Sequence, residues 1–168
     1  MKFILTSLLL LITTFAFTQK KGATMRDFDS LPGNWTGQFI YYTSDAAGVT
    51  QTTVQTKLEI VNKVDSLVLN FTPVAANSKT SAFQSSLRIF DDGKQLFYDS
   101  HEFDIVAVRR VGQRLTIIAD REGTDDKKDA TIRETFVIFP GVLNVTTEVK
   151  YDTAEKFIVR NKLELKKI

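Results

Sequence analysis

The sequence predicts an all-β chain folded as a single antiparallel up-and-down meander barrel of about eight to ten strands. Three observations carry this. Runs with strand chemistry recur every 10 to 15 residues, turn signals separate them, and no amphipathic helical stretch exceeds about two turns.

In chain order, strand chemistry spans Asn34 to Tyr42, Val49 to Val61, Val64 to Thr72, Thr80 to Phe90 and Lys94 to Asp99. It continues over Glu102 to Val111, Arg114 to Arg121, Ala130 to Phe139, Val142 to Tyr151 and Glu155 to Lys166. Tight hairpins are expected at Asn62-Lys63, Asp91-Asp92-Gly93, Gly112-Gln113 and Pro140-Gly141, where residues tolerate positive φ or preset a turn. The segment Gly123 to Asp129 is rich in oxygens, but it lacks calcium-loop spacing and carries two lysines, so it reads as a solvated hairpin loop.

Register tests the pattern. A two-residue turn at Pro140-Gly141 sets Ile138 against Leu143, Phe136 against Val145, Glu134 against Thr147 and Ile132 against Val149. The other face then pairs Arg133 with Glu148, an ion pair, and Thr135 with Thr146. A turn at Asn62-Lys63 sets Leu58 against Leu67 and Thr56 against Leu69; one at Asp92-Gly93 sets Ile89 against Leu96 and Leu87 against Tyr98. A meander with one apolar face closes into a barrel or folds into a sandwich, and closure, which removes exposed edges, is the expected outcome.

Ahead of this domain, residues 1–18 read as an export signal: Lys2, then an apolar stretch ending at Ala16-Phe17-Thr18 before Gln19. The stretch is short of a membrane span and interrupted by Thr13 and Thr14. Residues 19–30 are polar and aperiodic and read as a flexible linker, leaving 31–168 as one barrel domain. With no cysteine there is no disulfide framework, thiolate metal site or cysteine-linked lipid anchor. The expectation is a periplasmic or secreted protein without a membrane span after cleavage.

Hydrophobic content of 43%, charged content of 25% and a net charge of +2 are ordinary for a globular domain. The basic pairs Arg109-Arg110, Lys127-Lys128 and Lys166-Lys167 are scattered, unlike a phosphate-tracking stripe, so no nucleic-acid partner is expected.

Gly33-Asn34-Trp35 opens the first strand, and it resembles the Gly-x-Trp signature of lipocalins and related calycin barrels. The resemblance implies that Trp35, the sole tryptophan, lies at the closed end of the barrel, with a basic residue of the last strand over its ring; Arg160 is the expected cation. It also implies an interior able to take a small hydrophobic ligand. The stretch from Tyr42 to Gly48 is too short for a large lid.

Catalytic chemistry has little support. There is no Gly-x-Ser-x-Gly elbow or Walker loop, and a single histidine, His101, without cysteine cannot supply most nucleophile and base pairs. His101 reads as a surface loop residue, and no metal site or cofactor is expected. A carboxylate pair of Glu134 with Glu148 is disfavoured because the hairpin register puts them on opposite faces.

Glu134 itself points inward with Ile132, Phe136 and Ile138, where an unpaired carboxylate is expensive. Either an internal salt bridge or a mouth-facing position answers it, or it anchors a ligand's polar group together with Tyr41, Tyr98 or Thr147. Phe39, Phe71, Phe83, Phe136 and Phe157 fall on expected inward faces, and of these Phe39, Phe71 and Phe136 complete the candidate ligand contacts. Asn34, Asn70 and Asn144 match the N-glycosylation pattern from within strands. Asp29-Ser30-Leu31, Asp65-Ser66-Leu67 and Asp152-Thr153-Ala154 are similar to sites O-glycosylated in some exported bacterial proteins. The expected function is binding of a small, largely apolar ligand in the barrel; the alternative is an envelope structural or interaction protein with a solid barrel core.

Overall fold

A computed structural model describes residues 22–45, 48–74 and 81–168; the expected export signal lies outside the described residues. The strands are β1 (Gly33–Asp45), β2 (Gly48–Asn62), β3 (Leu67–Pro73), β4 (Phe83–Phe90) and β5 (Gln95–Tyr98), then β6 (His101–Val111), β7 (Arg114–Asp125), β8 (Lys128–Phe139), β9 (Val142–Tyr151) and β10 (Ile158–Lys167). All ten lie in one closed antiparallel barrel, each beside its sequence neighbours, with β10 returning to β1. Among the described residues no helix is long and apolar enough to cross a membrane.

Period-two alternation decides which side chains enter the barrel. On β8, Ala130, Ile132, Glu134, Phe136 and Ile138 are buried while their neighbours are partly exposed. The β8–β9 register is the one expected, with Glu134 opposite Thr147 and Phe136 opposite Val145. Gly141, at φ 72, supplies the left-handed residue its two-residue turn requires. Leu87 pairs with Tyr98 and Ile89 with Leu96, also as expected.

Three local expectations are corrected. The β2–β3 connection runs from Lys63 to Ser66, closed by Lys63 N–H donating to the Ser66 carbonyl at 2.8 Å. Leu58 therefore faces Phe71, and Ile60 faces Leu69. The slip of four residues is even, so each side chain keeps its face and the core is unchanged. The segment 123–129 is strand rather than loop: Thr124 pairs with Asp129 and Asp125 with Lys128. Only Asp126 and Lys127 turn, at φ 49 and 63, the paired left-handed conformation that matches strand twist. On the outer face Arg133 does oppose Glu148, but its guanidinium makes a bidentate pair with Asp120 at 2.8 and 2.7 Å.

The described part of the expected linker is structured. Met25–Phe28 form a 3₁₀ turn whose Thr24 and Asp27 make a reciprocal capping box, Thr24 N–H donating to Asp27 Oδ2 at 2.7 Å. Burial raises the Asp27 carboxyl, but the Arg110 guanidinium at 2.8 Å and the Thr24 donors outweigh it and hold the group below its ordinary value. The turn drives Phe28 and Leu31 into one end of the barrel, where both are fully buried. Three apolar positions separated by polar residues (Ala23, Phe28, Leu31) do not form a periodicity, which is why the sequence reads there as linker.

Trp35 completes this plug. It is buried, and its Nε1–H donates to the Leu31 carbonyl at 2.8 Å. The cation over its ring is Lys167, with Nζ 5.6 Å from the centroid, and not Arg160. The register explains this: Trp35 pairs with Lys167 across the β1–β10 seam, so Arg160 lies seven residues, roughly 23 Å, towards the other end. Lys167 also donates to the Ser30 carbonyl at 2.7 Å, tying plug to last strand. Gly33 starts β1 beside this pair, at φ 127.

Candidate ligand cavity

The barrel interior is divided. Its plugged half is packed with Phe28, Trp35, Leu58, Leu96, Ile117 and Leu165, all nearly inaccessible. The opposite half holds a cavity of about 410 Å³. A ten-stranded barrel is wide enough that side chains need not fill it, and this chain fills one end only.

Aromatic rings make much of the wall. Phe39 and Tyr41, adjacent on the inner face of β1, stack with centroids 4.5 Å apart. Phe71 of β3 and Phe83 of β4 stack at 4.4 Å with planes only 8° apart. Tyr98 lies at the floor and meets Phe136 edge-on at 5.1 Å. Of the ligand contacts expected from sequence, Phe39, Phe71, Tyr41, Tyr98, Glu134 and Thr147 line the cavity. Phe136 does not: it is buried in the packed core beneath Tyr98. Phe157 is also corrected. It lies in the β9–β10 connection, just ahead of β10, and holds the outer-face Arg133 guanidinium 4.0 Å above its ring.

Glu134 is the buried acid of the site, 6% exposed. Its carboxyl accepts from the Thr147 hydroxyl at 3.0 and 3.2 Å, and among the described residues no cation reaches ion-pair distance. Burial pushes its pKa up to about 8; the Asp99 charge adds to the rise, while the Thr147 hydrogen bond and the Arg121 charge oppose it. At neutral pH the group is chiefly a neutral acid, a proton donor facing the cavity. Burial also raises the Tyr98 hydroxyl strongly, with the Glu134 and Asp99 charges acting in the same direction.

Arg121, which sequence reasoning passed over, is the second polar element. On β7 the inward positions run Leu115, Ile117 and Ala119, then Arg121, Gly123 and Asp125. Arg121 is diagonal to Glu134, because Ala119 pairs with Glu134 and Arg121 with Ile132. Its guanidinium lies 5.4 Å from the Phe103 centroid. Its Nε is, among the described residues, the buried side-chain polar atom without a hydrogen-bond partner. Gly123 makes the room, since a Cβ there would stand 2.4 Å from Arg121 Nη1. Burial lowers the Arg121 pKa against the pull of Glu134 and Asp99. Extending the β7 alternation past Ala119 is the sequence signal that points to this arginine.

The rim is set by Arg160. A β-bulge between Val159 and Asn161 makes Arg160 the extra residue of β10. Its Nε donates to Asp125 at 3.0 Å and its Nη2 to Asp126 at 2.7 Å and to the Tyr151 hydroxyl. Tyr151 donates to Asp125 at 2.5 Å. Burial alone would lower the Arg160 pKa, but Asp125, Tyr151 and Asp126 outweigh it and raise it. His101 stands exposed at the mouth, its Nδ1 2.7 Å from the Asp99 carbonyl.

The arrangement therefore combines aromatic walls, a buried neutral acid, an under-satisfied arginine and a paired arginine at the mouth. No protein-family model and no curated protein matches this chain.

Proposed function

We propose that this is an exported, lipocalin-like barrel protein, periplasmic or secreted, that takes a small and largely apolar ligand into the open half of its barrel. The observation that carries the proposal is the cavity of about 410 Å³, within the usual range of small-molecule sites, with stacked aromatics on its walls and Glu134 at its polar end. Export rests on the sequence of residues 1–18. The lipocalin-like label rests on Gly33-Asn34-Trp35 and the plugged end it opens. The cavity favours this reading over an envelope structural or interaction protein with a solid barrel core.

Native mass spectrometry of the mature protein, purified from the cells that make it, tests the proposal. The expected result is a small-molecule adduct on the native chain that is lost from a Ser85→Trp variant, which fills the cavity from β4. A folded native chain carrying no adduct and taking up none from a lipid-soluble extract of those cells would overturn it.

A further inference from the structure

We propose that the exposed arm of the β1–β2 hairpin joins two copies of this chain, β2 pairing antiparallel with β2 of the second copy through its free edge from Gly48 to Val54. The hairpin is longer than the wall that flanks it. β1 and β2 pair with each other as far as Asp45 and Gly48, whereas β10 accompanies β1 only to Tyr41. On the other side β3 accompanies β2 only from Thr56, and beyond that pair Val74 N–H donates to the Gln55 carbonyl at 2.9 Å. Among the described residues, no strand pairs with this side of β2 from Gly48 to Val54, about 23 Å of strand. Gly48 to Thr53 are all exposed, Val49 to 72%.

The bond between Gln55 and Val74 also fixes which backbone groups face outward. Backbone groups alternate sides along a strand, so Val49, Gln51 and Thr53 turn their N–H and C=O to the same side as Gln55, where no described strand meets them. Exposed edges are ordinarily blunted by lysine, proline or a bulge. The run Val49-Thr50-Gln51-Thr52-Thr53-Val54-Gln55 has neither lysine nor proline, and its register with β1 is unbroken. It carries no charge, so it offers a basic or acidic peptide no ion pair but meets its own copy without repulsion. Symmetry selects the register. A twofold axis makes the contact reciprocal, and the longest overlap of the free edge with itself centres on Gln51. Gln51 then lies opposite Gln51 of the second copy, Val49 opposite Thr53 and Thr50 opposite Thr52, with about six backbone hydrogen bonds between the outward groups. Because β1 enters the arm from Phe39 and Tyr41 of the cavity wall, the two copies meet at their open ends.

Sedimentation equilibrium of the mature protein, from micromolar to millimolar concentration, tests the pairing. The expected result is a monomer–dimer equilibrium. Gln51→Lys and Gln51→Glu should each weaken the dimer about tenfold, because like charges then stand directly opposite. Mixed in equal amounts, the two variants should form a heterodimer at least as tight as the native pair. Gln51 is exposed, its amide 3.4 Å from the Thr53 hydroxyl on the same strand, so both variants should fold, which thermal melts check.

The chain has no cysteine, so Gln51→Cys introduces a single thiol. Mild oxidation should link two copies through it, since directly opposite Cα atoms of such a pair stand about 5.5 Å apart. Thr36→Cys, exposed on β1 towards the plugged end, should stay unlinked. A chain that remains monomeric at millimolar concentration would overturn the proposal. A dimer that ignores Gln51→Lys and is not captured through Gln51→Cys would overturn it as well, in favour of another surface.

Discussion

Arg160 of the last strand hydrogen-bonds Asp125, 35 residues earlier, at the rim of the open end. That contact, with Asp126 and Tyr151, links β10, the β7–β8 hairpin and β9 around the cavity mouth.

Arg160→Met should therefore loosen the rim. The loss is about 1–2 kcal/mol, appropriate to charge-assisted hydrogen bonds that are partly exposed. Urea unfolding should register that loss. Amide exchange should accelerate at Asp126 and Lys127 while the amides around Trp35 keep their protection.

Glu134→Gln should stabilise the fold in a pH-dependent way. Below about pH 4.5 the acid is protonated in both folded and unfolded chains and contributes nothing. Between there and about 8 the unfolded chain releases the proton and the folded one retains it, so the native protein loses about 1.4 kcal/mol per unit. Above 8 the penalty levels off at several kcal/mol, an upper bound. Denaturation curves of the two proteins at pH 5, 7 and 9 should diverge in that order; parallel curves would contradict a retained proton.

Trp35→Phe should cost about 2–3 kcal/mol, because it leaves the buried Leu31 carbonyl unpaired and opens a void beside Phe28. Lys167→Met should cost less than about 1 kcal/mol, the scale of a partly exposed cation–π contact. Guanidinium unfolding followed by circular dichroism separates the two.

Gly37→Ala should strain the barrel seam. A Cβ at this position would lie 1.9 Å from the Glu164 carbonyl oxygen, a backbone atom of β10 that has no freedom to move aside. The cost is roughly 1–3 kcal/mol, the range for overpacking. A thermal melt of this variant should be lower and less cooperative than wild type.

Much of the barrel was legible because hairpin register and alternation are local. Ile138 with Leu143 and Leu87 with Tyr98 follow from a turn and a count of two. Parity also protected the inner face when the β2–β3 turn proved longer, since Leu58 stayed inside with a different partner. Glu134, Thr147 and Tyr98 take their inward positions from the same count, and all three line the cavity. What failed depended on distance around the barrel or on departures from alternation. Sequence alone sets Arg160 over Trp35, because only the β1–β10 register shows how far apart they are, and the bulge at Arg160 leaves no trace in a period-two pattern. Arg121 was missed because a polar side chain on an inward position looks like the end of a strand. Phe136 and Phe157 show the converse: an aromatic residue on an apolar pattern does not reveal whether it faces the hollow, the packed core or an outer arginine.

The seam has one more consequence. Gln38 and Glu164 meet across it at 2.9 Å although 126 residues separate them. While the chain is being synthesised, β1 has its hairpin partner β2 on one side and bare backbone on the other. Within the barrel, only β10 covers that edge. Each newborn molecule thus carries an open strand edge, able to pair with a neighbour's, until the tenth strand of the barrel is made. Slow, non-local closure of this kind makes the final strand the step that ends exposure.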